Sequence, residues 1–361
     1  MDISTPRVLA IVRGKSLRVS RIIASQNNAE PVFMRFKNNK LVHAIALCIE
    51  GAYKAYPGSG SRWRSRRLRF LFRSLIWWKT TVPWLFVCLR SRHADIAAQC
   101  PWILERIHRP FLHRSLSARQ RLTVSVEHAY LSYKLAPRIV DELERDGLCP
   151  LAIISSSERR WYVQVEMLSR FEKEGDWTLT IRDSQGYRLV SCTFSIATIG
   201  RRRQRPRLLI GCVQGPDRSV DGRDLYRTLT KQWHGWRPKS LVIYLAQSLA
   251  NVLGLRSALM VDNDTHVYAS WRYRCAKHRI AADYRGLCPA LGNTPSWQGW
   301  LVLGIPQARR ARADAGHEAQ PGTVRANRQQ LRSSLDVQIR SSVHGRVPRQ
   351  SMATGDSNGL F

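Results

Sequence analysis

A short cationic segment between two helical patterns contains the residues whose types and spacing most clearly suggest ligand binding. Its candidate site residues are the cationic and polar Lys231, His234, Arg237, Lys239 and Ser240, together with Gly235. Pro238 suits the first turn of a helix, and the glycine suits the left-handed position at which the preceding helix ends. Free N–H groups at a helix start attract anions, and the cations would add to that attraction. The segment therefore predicts a site for an anion such as phosphate or pyrophosphate.

Two further residues, Gln214 and Gly215, extend this candidate site at the end of a strand pattern. Residues 208–213 are apolar, which is typical of a buried central strand, and Gly211 and Gly215 permit a close approach to the backbone. The sequence lacks the GxxxxGK(S/T) and GxGxxG motifs. It therefore gives no support to a mononucleotide or dinucleotide cradle.

The same cationic segment also has a structural interpretation. Arg237 and His234 could join the corner between the two helices to a backbone carbonyl, or to a carboxylate such as Asp224. Such contacts would use the cations for packing and would leave no ligand site. The sequence leaves both interpretations open, and it identifies no catalytic residue.

The elements on either side of the segment predict an α/β fold of the α+β kind. Helical spacing dominates up to about residue 150, and short β-rich segments separated by turn residues follow from 151 to 199. These segments predict an antiparallel meander, and a strand–helix–strand unit over 208–261 would complete a mixed sheet. The helical N-terminal part would lie beside that sheet.

This order of elements is similar to that of the acyl-CoA-dependent N-acetyltransferases, in which a pyrophosphate rests on a comparable helix start. The analogy implies CoA or an acyl-CoA as a cofactor. The Gln/Arg-x-x-Gly-x-Gly/Ala signature of that superfamily is absent, and Gln214-Gly215 is only a fragment of it. The resemblance therefore concerns the fold, and an acyltransferase activity is an alternative hypothesis.

Residues 62–92 are the strongest candidate for a membrane contact, because arginines and tryptophans alternate there with apolar residues. Two charged residues and a proline interrupt the apolar part, and each charge near the middle of a bilayer costs about 2.5–3.5 kcal/mol. A membrane-spanning helix is therefore not expected. A helix lying on an anionic lipid surface, with Trp77, Trp78 and Trp84 at the interface, fits the composition. An amphipathic helix packed on the core, with a solvated basic face, is the alternative.

The whole chain is strongly basic, with a formal net charge of +32 and a pI near 11.0. Such a charge attracts anionic lipids, phosphorylated ligands and nucleic acids alike. No helix-turn-helix, zinc-finger or RNP pattern accompanies it, so nucleic acid is the least favoured of these partners. The composition leaves an anionic ligand or a lipid surface as the better candidates.

Cysteine usage and the N-terminal residues indicate a reducing compartment. Eight cysteines are scattered without a CxxC pair, and no secretory pattern is present at the N-terminus. We therefore expect a cytoplasmic protein, with any membrane contact at the inner membrane. His266, Cys275, His278 and Cys288 match no common zinc spacing, and no metal is predicted.

Several segments are similar to one known family. The segments IGCVQG, LTKQWHGWRPK, LAQSLANVLGL, VDNDTHVY and AADY, with FEKEGDWTLTIRDSQGYRLVSCTFSI upstream, closely resemble the VirK/YbjX family, a bacterial domain of unknown function. The similarity covers about residues 60–306. It implies an accessory role in envelope integrity and virulence, through resistance to antimicrobial peptides and localisation of surface proteins, with envelope components as partners. The family has no established reaction, so no catalytic residue follows from the resemblance.

Four regions are predicted along the chain. Residues 1–60 form an N-terminal extension, 61–150 a helical basic and aromatic region, and 151–306 the mixed α/β domain. Residues 307–361 are rich in Arg, Ala, Ser, Gly and Gln, which predicts a disordered basic tail. Because this tail resembles no part of the family, we hypothesise that it derives from a shifted reading frame. Translation of the gene in the other frames would test that origin.

Overall fold

The computed structural model describes residues 40–156, 159–199, 205–216, 222–273, 275, 284, 286, 295–304 and 322–345. The α-helices are α1 (Lys40–Ala55), α2 (Ser61–Ile76), α3 (Trp78–Arg90), α4 (Ala94–Gln99), α5 (Ala118–Leu135), α6 (Pro137–Asp146), α7 (Gly222–Gln232), α8 (Pro238–Val252) and α9 (Val324–His344). The strands are β1 (Leu148–Ser155), β2 (Arg160–Glu166), β3 (Trp177–Arg182), β4 (Arg188–Ala197), β5 (Arg207–Gln214), β6 (Ala258–Val261), β7 (Ser296–Trp297) and β8 (Trp300–Leu303). A 3₁₀ helix, Pro101–His108, lies between α4 and α5.

The eight strands form one mixed sheet in the order β1-β2-β3-β4-β5-β6-β8-β7. Strands β1 to β5 pair consecutively and antiparallel, which confirms the predicted meander. β5 and β6 are parallel, and α7 and α8 connect them as the predicted strand–helix–strand unit. β8 pairs antiparallel with β6. The α/β fold class with a mixed sheet is therefore confirmed.

Helices from different parts of the chain cover the centre of the sheet. Every residue of β4 is buried, and both α5 and α8 contact this strand, so both of its faces are covered. On α5, Glu127 and His128 accept the backbone N–H groups of Thr198 and Ile196 at the end of β4. These bonds fix the helical region to the sheet.

The N-terminal helices share the core of the sheet. One connected set of buried apolar side chains runs from Leu47 on α1 to Val343 on α9. α1 packs closely on α3, because a side chain at Gly51 would come within 2.8 Å of Leu85. The described part of the predicted N-terminal extension therefore belongs to this core.

Helix α9 lies in the part of the chain for which the sequence predicts a disordered tail. It begins after the N-cap residue Thr323. Its buried residues include Leu335, Ile339 and Val343, which are spaced by four and therefore share one face. This apolar face packs on β1 and α8.

Polar contacts also fix α9 to its neighbours. The hydroxyl of Ser342 donates to the carbonyl of Leu151 on β1 at 2.8 Å. On α8, the hydroxyls of Tyr244 and Ser248 donate to the carboxylate of Asp336. The prediction of disorder is therefore wrong for residues 324–344, while 307–321 and 346–361 lie outside the described residues.

Candidate functional site

The corner between α7 and α8 has the backbone that the sequence predicts. His234 and Gly235 follow α7 with φ angles of 52° and 82°. The N–H of Gly235 donates to the carbonyl of Thr230 at 2.8 Å, which closes the end of α7. Pro238 then lies in the first turn of α8. The predicted site residues of the segment 231–240 are therefore brought together around a helix start.

Among the described residues, the side chains of Arg237 and His234 make no hydrogen bond or ion pair of the kind that the structural interpretation requires. The side chains of Lys231 and Arg237 are exposed, and those of His234, Lys239 and Ser240 are half-buried. Asp224 pairs with Arg227 at 3.4 Å, and within the described part of the chain no hydrogen bond or ion pair joins it to Arg237 or His234. Burial lowers the pKa of the Lys239 ammonium group. An anion site at this corner stays a prediction.

Gln214 and Gly215 lie at the end of β5 and are bonded to other elements. The carbonyl of Gly215 accepts a hydrogen bond from Nη1 of Arg188 at 2.7 Å. A side chain at Gly215 would meet the hydroxyl of Tyr226 on α7 at 3.1 Å. Among the described residues, no hydrogen bond joins Gln214 or Gly215 to the segment 231–240. In the described structure, these two residues therefore belong to the end of β5 and are not bonded to the corner between α7 and α8.

The close approach predicted for Gly211 is made by the protein's own backbone. A Cβ atom at this position would lie 1.8 Å from the carbonyl oxygen of Glu174. Only glycine fits such a contact. Gly211 therefore allows β5 to pack against the turn before β3.

The start of α9 lies beside the corner, which the sequence did not predict. The guanidinium carbon of Arg328 lies 4.2 Å from the ring centre of Trp236. A side chain at Gly235 would meet Val324 at 3.6 Å. Two helix starts therefore lie next to each other here, and the arginine of α9 adds to the cations of the corner.

A larger cationic site is formed by a cavity of about 570 Å³ beside α2. Its walls come from the end of α1 and the loop after it, one side of α2, the 3₁₀ helix and the residues that follow it. The cations that line it are Arg66, Arg69, Arg73, Arg106, Arg109, Lys173 and Arg272. Glu105 and Glu172 are the carboxylates in the lining. We call this site the arginine cavity.

The two carboxylates pair with some of the lining cations. Glu105 forms an ion pair with Arg109 and lies 3.6 Å from Arg73. Glu172 pairs with Lys173 at 3.0 Å. Seven lining cations less two lining carboxylates leave a formal charge of +5 on the wall of the cavity.

Three of the lining arginines have no carboxylate partner among the described residues. Arg66, Arg69 and Arg272 form no ion pair with any of the residues that the structure describes. Arg66 instead lies over the rings of Tyr56 and Trp63, 5.8 and 5.6 Å from their centres. Among the described residues, no carboxylate outside the cavity therefore neutralises the charge of these three arginines.

Arg106 is the most deeply buried of the lining cations. Its side chain is 2% exposed and pairs with Asp176, which is 3% exposed. The hydroxyl of Ser195 donates to the second oxygen of Asp176 at 2.6 Å. Burial alone would raise the pKa of Asp176, but the charges of Arg106 and His128 and the bond from Ser195 hold it below its usual value. Even with this carboxylate counted, the cavity region keeps a formal charge of +4.

The pKa values of neighbouring groups respond to this positive charge. Burial and, to a smaller extent, the charges of Arg73 and Arg109 together lower the pKa of His108 to about 3. Burial also lowers the pKa of Arg73, and the nearby Arg272 adds to that effect. The guanidinium groups therefore repel one another, and an anion in the cavity would relieve the repulsion.

Helices α1 and α2 expose a group of apolar side chains. Nine of the thirteen large apolar side chains that are exposed among the described residues lie on them: Leu41, Val42, Ile45, Ile49, Tyr53, Leu68, Phe72, Leu75 and Ile76. We call this group the α1–α2 face. α2 also carries six arginines and no acidic residue. Exposed apolar residues concentrated on two helices that contact each other are typical of a surface that binds a membrane or a partner.

The membrane segment predicted over residues 62–92 divides into two parts. α3 packs in the core, where Trp84 is fully buried and its indole N–H donates to the carbonyl of Ile103 at 2.8 Å. Trp84 therefore cannot lie at a lipid interface, and the exposed apolar residues of the segment come from α2. None of the helices that the structure describes has both the length and the apolar character needed to cross a membrane.

Comparison with known proteins agrees with the resemblance found in the sequence. The chain is 30% identical over 239 residues to the "Uncharacterized protein YbjX" of Escherichia coli (strain K12), covering 65% of this chain and 71% of that protein. It is 27% identical over 222 residues to the "Membrane protein LapB" of Mannheimia haemolytica, covering 58% of this chain and 88% of that protein. No solved structure matches the chain. Because residues 59–315 match the family described as "Protein of unknown function (DUF535)", the chain belongs to this family, that of the VirK/YbjX proteins.

Proposed function

We propose that the protein is a peripheral component of the bacterial envelope that binds an anionic membrane surface through the α1–α2 face. The observation that carries the proposal is the set of exposed apolar side chains beside the arginines of α2. Exposed apolar side chains gain free energy when they leave water, and arginines attract anionic headgroups. The α1–α2 face offers both on two neighbouring helices.

The expected binding energy is sufficient without a membrane-spanning helix. A leucine or phenylalanine side chain gains about 1.5–3 kcal/mol on full burial. A basic residue near an anionic leaflet adds about 1 kcal/mol. Partial insertion of several side chains of the face would therefore give reversible binding that weakens at high salt.

The relatives support an envelope location. One of them is named a membrane protein in Mannheimia haemolytica. The VirK/YbjX resemblance implies a role in envelope integrity, in resistance to cationic antimicrobial peptides and in localisation of surface proteins. A protein that occupies anionic headgroups would act on the same lipids that attract cationic peptides, so we extend the proposal to that accessory role.

Flotation of the purified full-length chain with lipid vesicles tests the proposal. We expect the protein to rise with vesicles that contain phosphatidylglycerol and to remain at the bottom with pure phosphatidylcholine, because only the first supplies a net anionic surface. High salt should release part of the bound protein. Failure to rise with phosphatidylglycerol vesicles at low salt would contradict the proposal.

Acyl transfer from an acyl-CoA is a second candidate function, and the early end of the pairing between β5 and β6 favours it. The two parallel strands pair only over residues 208–210 and 258–260, while β5 continues to Gln214. Clefts at the carboxyl ends of neighbouring parallel strands are common ligand sites in α/β proteins. The corner at residues 231–240 would supply the cations for a CoA pyrophosphate.

Thermal unfolding with and without CoA and acetyl-CoA tests this second function. A ligand at 100 times its dissociation constant adds about 2.7 kcal/mol to the free energy of unfolding. Stabilisation of the wild type that is lost in Arg237→Ala would support it. If neither compound stabilises the wild type, the corner does not hold CoA and the second function is rejected.

A further inference from the structure

Two arginines that line the arginine cavity each have a buried hydrogen-bond donor that no described residue satisfies. Arg106 and Arg109 both line it, and in both the Nε atom is buried and has no hydrogen-bond partner among the described residues. Burying such a donor without an acceptor is unfavourable. A cavity whose lining has an excess of guanidinium groups, two of them incompletely hydrogen-bonded, is therefore suited to an anion that brings its own oxygen acceptors.

The chemistry of the lining favours phosphate over other anions. Guanidinium groups present paired N–H donors that match the oxygens of a phosphate, and arginine is the preferred residue for binding it. The wall keeps a formal charge of +5, which exceeds what a singly charged group would neutralise. A phosphomonoester carries a charge between about −1.5 and −2 at neutral pH and has three free oxygens. It therefore fits this cavity better than a phosphodiester, which carries one charge.

The size and the remaining walls of the cavity allow a ligand larger than phosphate. Its volume of about 570 Å³ lies within the range of ordinary ligand pockets. Tyr56, Trp102 and Phe111 line it beside the arginines. Trp102 is the least buried of these rings and could pack against the carbon atoms of a headgroup while the arginines hold its phosphate.

The cavity adjoins the α1–α2 face along α2. Arg69 and Arg73 line the cavity, and Phe72 and Ile76 follow them by three positions on the same helix and are exposed. Residues three apart on a helix are surface neighbours. A lipid whose phosphate enters the cavity could therefore lay its acyl chains along the exposed apolar side chains of α2.

We infer that the arginine cavity binds the phosphomonoester headgroup of an anionic membrane lipid. This inference rests on the proposed membrane function, because it takes the lipid from the surface that the α1–α2 face contacts. The face supplies general attraction to anionic membranes, and the cavity selects the lipid. The protein would then concentrate at membrane regions rich in phosphomonoester lipids.

Calorimetric titration of the full-length chain tests the cavity separately from the membrane. The probes are a short-chain phosphatidic acid and a short-chain phosphatidylglycerol, both monomeric in solution, and inorganic phosphate. We expect the phosphatidic acid to bind about 10-fold or more tightly than the phosphatidylglycerol. Inorganic phosphate should bind more weakly than the phosphatidic acid, because it lacks the carbon atoms that pack on the rings.

Two double variants with the same loss of charge separate the cavity from the general charge of α2. Arg69→Gln with Arg272→Gln removes two lining cations that have no carboxylate partner among the described residues. Arg62→Gln with Arg64→Gln removes two exposed cations of α2 outside the lining. The first pair should weaken binding of the phosphatidic acid about 10-fold or more, and the second should leave it nearly unchanged.

Several outcomes would overturn the inference. These are no binding of the phosphatidic acid, equal affinity for the phosphatidylglycerol, equal affinity for inorganic phosphate, and equal losses in the two double variants. If the inference fails while the protein still rises with phosphatidylglycerol vesicles, the membrane function stands without a selective cavity. If the phosphatidic acid binds as predicted but the protein rises with none of the vesicles, the membrane function is rejected. The ligand would then be a soluble phosphomonoester, and the assignment to a membrane lipid would be overturned as well.

Discussion

The double substitution Phe72→Glu and Leu75→Glu is expected to lower the affinity for phosphatidylglycerol vesicles about 100-fold or more. Both side chains lie on the outer side of α2, 64% and 71% exposed, so the fold does not depend on them. If each gains about 1.5–3 kcal/mol in the lipid, losing both removes about 3 kcal/mol or more. The new carboxylates also repel the headgroups. Vesicle sedimentation over a series of lipid concentrations measures the affinity.

A matched control is available on α9. Val324→Glu with Val337→Glu introduces the same two charges at positions that are 65% and 64% exposed. This pair should bind vesicles nearly as the wild type does, and thermal unfolding should show that both double variants remain folded. Equal losses of affinity in the two would mean that net charge controls binding and that the α1–α2 face does not.

Replacement of Asp176 by alanine is expected to lower the free energy of unfolding by about 3–5 kcal/mol. The substitution leaves the guanidinium group of Arg106 buried without its counter-charge and removes the acceptor of the Ser195 hydroxyl. Because the pKa of Asp176 in the folded protein lies below its usual value, its contribution is present at neutral pH. It is lost as acid protonates the carboxylate in the folded state. Urea unfolding at neutral pH measures the change.

An exposed ion pair provides the comparison for this buried one. Asp224 and Arg227 are each 71% exposed and lie 3.4 Å apart. Asp224→Ala should lower the free energy of unfolding by less than about 1 kcal/mol. If Asp176→Ala costs no more than this substitution, the buried pair contributes little, and Asp176 does not hold Arg106 in the wall of the arginine cavity.

The sheet and the corner could be predicted because their signals are local. Strand patterns separated by turn residues are sufficient for a meander, since each strand pairs with the next one in the chain. At the corner, Gly235 and Pro238 each favour one backbone conformation, and the structure shows both in the expected places. Such local signals could not predict which other elements contact the corner. The start of α9 beside Trp236 is one such contact.

The composition of residues 324–344 does not predict helix α9, although the spacing of their apolar residues does. Polar and charged residues dominate the helix, so its average character suggests disorder. A helix needs only one apolar face to pack, and Leu335, Ile339 and Val343 form that face. Their regular spacing by four was visible in the sequence. A test for spacing would have identified the helix where composition did not.

The arginine cavity could not be predicted from the sequence. Arg69 and Arg73 lie on α2, Arg106 and Arg109 come from the 3₁₀ helix and the residue after it, and Arg272 comes from a distant part of the chain. Only tertiary packing brings them together. In a chain with so many arginines, no local pattern separates these from the others.

A probe at position 72 tests membrane binding by the α1–α2 face most directly. Among the described cysteines only Cys275 is exposed, and Cys288 lies outside the described residues. Phe72→Cys in a background with Cys275→Ser and Cys288→Ser therefore offers a site for a small fluorescent label. The labelled protein would be mixed with phosphatidylglycerol vesicles that carry spin labels on their acyl chains. We predict strong quenching of the label at position 72 and none of the same label at Val337→Cys on α9. Bound protein that shows quenching at position 337, or at neither position, would contradict the proposal.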